Sequence, residues 1–216
     1  MTKSTDPLPR RIPRDIDPEN TEGDVRAARI FSNVVSPPVI FAVLGLFLSL
    51  NEQSNLQGLF WAAIFGFWVS LAPILVVLFM LRTGRIQDLH MSSTGDRRIP
   101  YVASVVGSLI ALALISFFDG PELLRCLALF SLLELISLAL ITNFWLISIH
   151  ATSIVAAMII AGLVFGVWAA ALVFPLVIAV CFVRLYLRRH TLSQVGAGAA
   201  LGIVTVWILT LFGCFV

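Results

Sequence analysis

Long uncharged apolar runs, separated by short polar segments, fill the chain from residue 30 onward. A helix needs roughly 20 residues to cross the hydrocarbon core of a bilayer. The pattern therefore predicts an all-α fold, a polytopic transmembrane bundle of about six to seven helices. The predicted spans are 30–51 with a bend at Pro37, 53–81 with a kink at Pro73, 99–118, about 123–145, a helix beginning near Ser148, a helix ending near Arg184 after a turn around Gly166, and 191–216.

Composition supports a membrane location. Hydrophobic residues make up 59% of the 216-residue chain and charged residues only 12%, which is too little polar surface for a soluble globule. We expect an integral membrane protein whose surroundings are the lipid bilayer and whose partners include no nucleic acid. The three cysteines lie in apolar runs without CxxC spacing, so they are predicted to be packing residues and to form neither a zinc site nor a disulfide.

The first 29 residues differ from the rest of the chain. They mix four prolines with basic and acidic residues and contain no apolar stretch. This composition predicts a solvated, flexible tail that precedes a membrane domain at 30–216. Two interpretations stay open: the tail docks on a partner or on lipid headgroups, or it has no specific role.

The basic residues predict the orientation in the membrane. With seven spans, the tail and the loops after the second, fourth and sixth helices share one side. Every Lys and Arg except Arg125 falls on that side. The positive-inside rule makes it the cytoplasmic side of a plasma or internal membrane.

Because the loops after even-numbered helices share one side, three polar clusters lie on that face, at residues 88–100, 148–150 and 184–194. These clusters contain all three histidines of the chain. Arginine forks bind phosphate oxygens, imidazole can attack phosphorus or donate a proton, and helix N-termini offer backbone N–H groups. The arrangement predicts a phosphate-handling site at headgroup depth.

The clusters resemble the type 2 phosphatidic acid phosphatase superfamily, whose motifs are Lys-x6-Arg-Pro, Pro-Ser-Gly-His and Ser-Arg-x5-His-x3-Asp. Here the corresponding segments are Arg-Arg-Ile-Pro at 97–100, Ile-Ser-Ile-His at 147–150, and Val-Arg-x5-His-x3-Gln at 183–194. Similar proteins also place glycines where Gly198 and Gly202 stand. The resemblance covers roughly residues 82–202.

The resemblance implies a membrane lipid phosphatase that acts on phosphatidate or a prenyl diphosphate without a metal or other cofactor. His190 would attack phosphorus, and His150 would act as the acid and base. The oxygens of the phosphate would be held by Arg98, Arg184 and Ser148, with Arg97 as a substitute for Arg98.

Several positions depart from the motifs. The lysine of the first motif is replaced by His90 or Met91, and the aspartate of the third motif by Gln194. An amide can fix the tautomer of His190 but stabilises an imidazolium less well than a carboxylate, for which Asp88 could compensate. Gln194 also completes a capping box with Thr191 at the start of the last helix.

A noncatalytic alternative follows from these departures. A relative that kept the fold and lost catalysis would serve as a membrane subunit or lipid-binding partner. A homo-oligomer or a larger membrane complex is compatible with either hypothesis. Glu134, inside the fourth span, is predicted to be protonated or paired within the bundle and to lie outside the site.

Overall fold

The computed structural model describes residues 13–16, 23–53, 56–86 and 98–216. These residues form an all-α helical bundle, as the apolar runs predict. The helices are α1 Gly23–Val34, α2 Pro37–Glu52, α3 Leu56–Phe65, α4 Ala72–Arg82, α5 Arg98–Phe117, α6 Glu122–Thr142, α7 Ile149–Phe165, α8 Val167–Tyr186 and α9 Leu192–Leu211. A short 3-10 turn, Arg14–Ile16, precedes them.

Helix lengths make this an integral membrane protein. Within the described ranges, five helices are long and apolar enough to cross a bilayer, counting Leu56–Arg82 as one continuous helix, and the bent pair α1 and α2 gives a sixth. The α7 helix has 17 residues and is shorter than the five helices that meet the length for a membrane span. A helix of that length rises only about 26 Å, slightly less than the hydrocarbon thickness.

Prolines and one glycine set the breaks where the sequence predicts them. The axes of α1 and α2 differ by 44° at the break before Pro37, where proline suits the first turn of a new helix. A π-helical turn formed by residues Gly66–Leu71 precedes Pro73. Such turns are among the common causes of helix kinks. Gly166, with φ of 89°, separates α7 from α8.

The amino-terminal helix starts earlier than the predicted tail boundary. Helix α1 begins at Gly23, and Val25 is buried against Val183 and Leu187 at the end of α8. The polar composition before residue 30 therefore conceals an amphipathic helix, one face of which packs on the bundle.

The prediction that the cysteines form no disulfide is wrong. Cys126, near the start of α6, is bonded to Cys214, just after α9, with a Cα–Cα distance of 5.6 Å. Because 88 residues separate the two cysteines, helix packing brings them together and no local spacing signals the pair. Cys181 is the remaining free cysteine.

Removing this disulfide is expected to lower the free energy of unfolding by about 2–4 kcal/mol, because the crosslink restrains a long loop of the unfolded chain. The measurement is thermal unfolding of the purified Cys126→Ser variant in detergent. Cys181→Ser is the matched control and should unfold like the parent protein. Equal stability of the parent and Cys126→Ser would contradict the expectation.

Candidate functional site

The junction between α8 and α9 positions His190. Helix α8 ends in a Schellman motif, in which Arg189 N donates to Arg184 O at 3.1 Å and Arg188 N donates to Leu185 O at 2.9 Å. Arg188 takes the left-handed conformation that this motif requires, with φ of 54°. The chain thus reverses at once, and His190 stands directly before the cap of α9.

Gln194 holds the start of α9, as the capping box predicts. Its amide oxygen accepts a hydrogen bond from Thr191 N at 2.9 Å, and its backbone N donates to Thr191 Oγ1 at 3.3 Å. Its backbone oxygen also accepts from Ser148 N at 3.1 Å, which ties the start of α9 to the start of α7. The structure therefore gives Gln194 a capping and linking role.

The α7 helix begins at the same level as α9. Ser148 is the N-cap of α7, and its hydroxyl accepts a hydrogen bond from Ala151 N at 3.4 Å. His150 follows in the first turn, where its side chain is 9% exposed. Capping thus fixes the position of His150 relative to the α8–α9 junction.

Two glycines allow α9 to lie directly on α7. A Cβ atom on Gly198 would lie 2.4 Å from the Ser148 carbonyl oxygen, and one on Gly202 would lie 2.5 Å from the Thr152 carbonyl oxygen. Small residues permit such close backbone approach between membrane helices. The predicted helix contact of these glycines is confirmed, and it is what brings the two histidine-bearing ends together.

A cavity of about 420 Å³ lies where these ends meet the rest of the bundle. His150, His190 and Arg184 all line it, and their exposed fractions are 9%, 8% and 4%. Much of the remaining wall is apolar. Its apolar residues are Pro37, Pro38, Phe41, Val69, Pro73, Ile74, Val77, Pro100, Leu135 and Ile149.

Arg184 is held in place at the cavity wall. It lies in the last turn of α8, and its Nη1 donates to Ser32 Oγ on α1 at 2.9 Å. A guanidinium is a planar group with five N–H donors, and the bond to Ser32 fixes its orientation at the cavity wall. Ser32 was not among the predicted site residues, since a single serine in an amphipathic segment carries no signal of its own.

The amino-terminal segment braces the α8–α9 junction. Asp15 accepts two hydrogen bonds from Arg189, at 2.9 and 2.7 Å, and both side chains are almost completely buried. Arg14 donates its backbone N–H to Leu187 O at 3.1 Å, and its guanidinium lies 4.7 Å from the centre of the Tyr186 ring. Asp24 accepts a hydrogen bond from the Tyr186 hydroxyl.

Breaking the buried pair is expected to be costly. Asp15→Ala should lower the free energy of unfolding by about 3–5 kcal/mol, because it leaves the guanidinium of Arg189 buried without its carboxylate. Glu122→Ala is the matched control: it removes the exposed Glu122–Arg125 pair and should cost less than about 1 kcal/mol. Chemical or thermal unfolding in detergent measures both, and a similar loss in the two variants would contradict the bracing role.

The predicted phosphate-binding residues separate into three groups. Arg184 lines the cavity with the two histidines. Ser148 is completely buried as a helix cap and does not line the cavity. Arg98 is exposed and lines a separate surface depression with Val102, Ala139 and Asn143, while Arg97, Asp88 and His90 lie outside the described residues.

Glu134 belongs to the cavity, although the sequence placed it outside the site. Its side chain is 1% exposed, and its Oε1 accepts a hydrogen bond from Ser153 Oγ at 2.9 Å. The sequence predicts that Glu134 is protonated or paired within the bundle, and the structure gives it this hydrogen bond from α7. Its position inside a membrane span was the signal for a functional role.

Within the described parts of the chain, no three His, Cys, Asp or Glu side chains come close enough together to hold a metal ion. The cavity instead offers one guanidinium, two imidazoles and one carboxyl group between apolar walls. Such a cavity can bind an anionic group and transfer protons to or from it. The bundle and this site together define a helical integral membrane protein with a buried, basic and imidazole-lined cavity.

No protein-family model, curated protein or solved structure matches this chain.

Proposed function

We propose that this protein is an integral membrane lipid phosphate phosphatase, a divergent relative of the type 2 phosphatidic acid phosphatases. The observation that carries the proposal is the convergence of His150, His190 and Arg184 on one cavity. The motif resemblance assigns phosphate chemistry to these same three residues. The apolar walls of the cavity suit a substrate with a lipid tail, such as phosphatidate or a prenyl diphosphate.

The proposed reaction has two steps. In the first, an imidazole nitrogen of His190 attacks phosphorus, the bond from phosphorus to the leaving oxygen breaks, and His150 donates a proton to that oxygen. In the second, His150 takes a proton from water as the water oxygen attacks phosphorus. The phosphorus–nitrogen bond then breaks, which releases phosphate and restores both histidines.

Arg184 is proposed to bind the nonbridging oxygens throughout both steps. Its donors are fixed in advance by the bond to Ser32, and donors held in place before the reaction stabilise charge that develops in a transition state. The α9 amino terminus follows His190 directly, and the positive end of its helix dipole favours an anionic group next to that residue.

We further propose that the cavity faces the cytoplasm. The distribution of basic residues supports this orientation, as does the disulfide. The Cys126–Cys214 bond lies beyond the end of α9 that is opposite His190, and disulfides persist on the oxidising side of a membrane. Cysteine labelling of the 88–100 loop only from the outside of intact cells would contradict the orientation.

The test of the function is phosphate release by the purified protein. Phosphatidate and farnesyl diphosphate are incubated separately with the parent protein and with His190→Ala, and inorganic phosphate is measured. The proposal expects release by the parent alone. Equal background release by both proteins would contradict the proposed phosphatase activity.

The noncatalytic alternative rests on a specific observation. The residue in place of the motif aspartate, Gln194, uses its amide oxygen to cap α9. A chain that retains the cavity but has this glutamine in place of the motif aspartate could bind lipid phosphates without hydrolysing them. Saturable binding of phosphatidate vesicles without phosphate release would favour this second function.

A further inference from the structure

Glu134 is a buried carboxyl group that the proposed reaction does not use. It projects from the middle of α6 into the cavity that holds the two histidines. Only 1% of it is exposed. An ionisable group inside a membrane span is expensive, and such groups mark substrate sites or proton pathways.

The position of Glu134 relative to the histidines follows from its bond to α7. Its Oε1 accepts from Ser153 Oγ at 2.9 Å. Ser153 follows His150 by three residues on the same helix, so the two side chains lie on one face, roughly 5–6 Å apart at Cβ. The carboxyl group is therefore bonded to α7 about one helical turn beyond His150.

The carboxyl group of Glu134 has few hydrogen-bond partners among the described residues. A carboxylate has about four acceptor positions, and Ser153 is the one side-chain donor that Glu134 has among the described residues. No ion pair within those ranges includes Glu134. Because a buried polar group is stable only when it is hydrogen-bonded, this carboxyl group is suited to a donor that a ligand supplies.

We propose that Glu134 is a specificity-determining residue that accepts a hydrogen bond from a hydroxyl or ammonium group next to the phosphate of the substrate. This inference rests on the proposed function and narrows it. Within the proposed substrate class, the site then favours lipid phosphates with such a donor on the adjacent carbon over phosphatidate, which carries an ester there, and over prenyl diphosphates, which carry no donor there.

The test compares three single-chain lipid phosphates with an identical acyl chain. The carbon next to the phosphate-bearing carbon carries hydrogen in one, a hydroxyl group in the second and an ammonium group in the third. For the parent protein we expect kcat/KM to be about tenfold or more higher for the two donor compounds, because loss of a donor leaves the buried acceptor unsatisfied. Glu134→Ala should bring all three values to within about twofold.

Two further variants separate specificity from general damage. Glu134→Gln should keep the preference for the hydroxyl compound and lose most of the preference for the ammonium compound, because the amide accepts hydrogen bonds but carries no charge. Ser153→Ala, which removes the internal donor only, should keep both preferences. If Glu134→Ala does not fold, as judged by size-exclusion chromatography in detergent, the Gln variant decides the question.

The possible results distinguish this inference from the proposed function. Phosphate release at equal kcat/KM from all three compounds by the parent protein overturns the role of Glu134 and leaves the phosphatase intact. No release from any compound overturns the phosphatase, and the role of Glu134 falls with it. A preference for the donor compounds that persists in Glu134→Ala, or a preference for the ammonium compound that persists in Glu134→Gln, assigns the selectivity to another part of the cavity and also overturns the inference.

Discussion

Arg184→Ala is expected to lower kcat/KM for lipid phosphate hydrolysis by about 10³-fold, because removal of one fixed donor from a site that stabilises developing charge costs about 10²–10³ and Arg184 can supply more than one. Among the described residues, Arg184 is the arginine that lines the cavity with both histidines. Steady-state phosphate release in detergent micelles measures the effect.

Arg98→Ala is the matched control for this prediction. Arg98 is exposed and lines a different surface depression, so its loss should change kcat/KM by less than about tenfold. From the motif resemblance alone, both arginines would be expected to bind the phosphate, and their replacement would lower kcat/KM by similar factors. A larger loss in Arg98→Ala than in Arg184→Ala would contradict the site geometry, and thermal unfolding of both variants separates binding from folding.

Gly198→Ala is expected to lower the free energy of unfolding by about 1–3 kcal/mol, the usual cost of overpacking, and to abolish most phosphate release. The new Cβ would lie 2.4 Å from the Ser148 carbonyl oxygen and 3.1 Å from Thr152 Oγ1. To relieve this clash, α9 must move away from α7. That movement separates His190 from His150.

Gly196→Ala is the control for the glycine prediction. Gly196 lies in the same helix, but a Cβ atom there would meet nothing within 4 Å. Replacement should leave activity unchanged and stabilise the helix by up to about 1 kcal/mol, because alanine favours helix more than glycine does. Equal behaviour of the two alanine variants in unfolding and phosphate-release assays would show that the α7–α9 contact does not position the site.

The helices could be predicted from the sequence because their signal is local. Apolar runs of sufficient length gave the spans, Pro37 gave the bend of 44°, and Gly166 gave the turn between α7 and α8. Each of these features depends on residues close together in the chain. The main difference is at the amino terminus, where α1 begins at Gly23 because an amphipathic face packs on α8.

The site could be predicted only in part, since convergence depends on packing. The assignment of loops to the two sides of the membrane placed His150 and His190 on one face, and the two residues line one cavity. The side of the membrane on which a loop lies does not determine the direction in which a side chain points. It therefore could not separate the cavity-lining Arg184 from the exposed Arg98, nor reveal that Glu134 faces the same cavity.

Features that join distant segments gave no sequence signal at all. The Cys126–Cys214 bond and the Asp15–Arg189 pair connect residues 88 and 174 positions apart. Neither has a characteristic spacing, and each depends on how the helices pack. The same holds for the bond between Arg184 and Ser32, which fixes the guanidinium at the cavity wall.

The central claim is that His190 becomes phosphorylated, and trapping that intermediate tests it most directly. The His150→Ala variant lacks the proposed base for the second step. With farnesyl diphosphate the leaving group of the first step is a phosphate, which can depart without a proton from His150, so the variant should accumulate phosphohistidine. After alkaline quenching, which preserves phosphohistidine, mass spectrometry of the digested protein should place the phosphoryl group on His190. Phosphorylation at another residue, or none in either the parent protein or His150→Ala while phosphate is released, would contradict the claim.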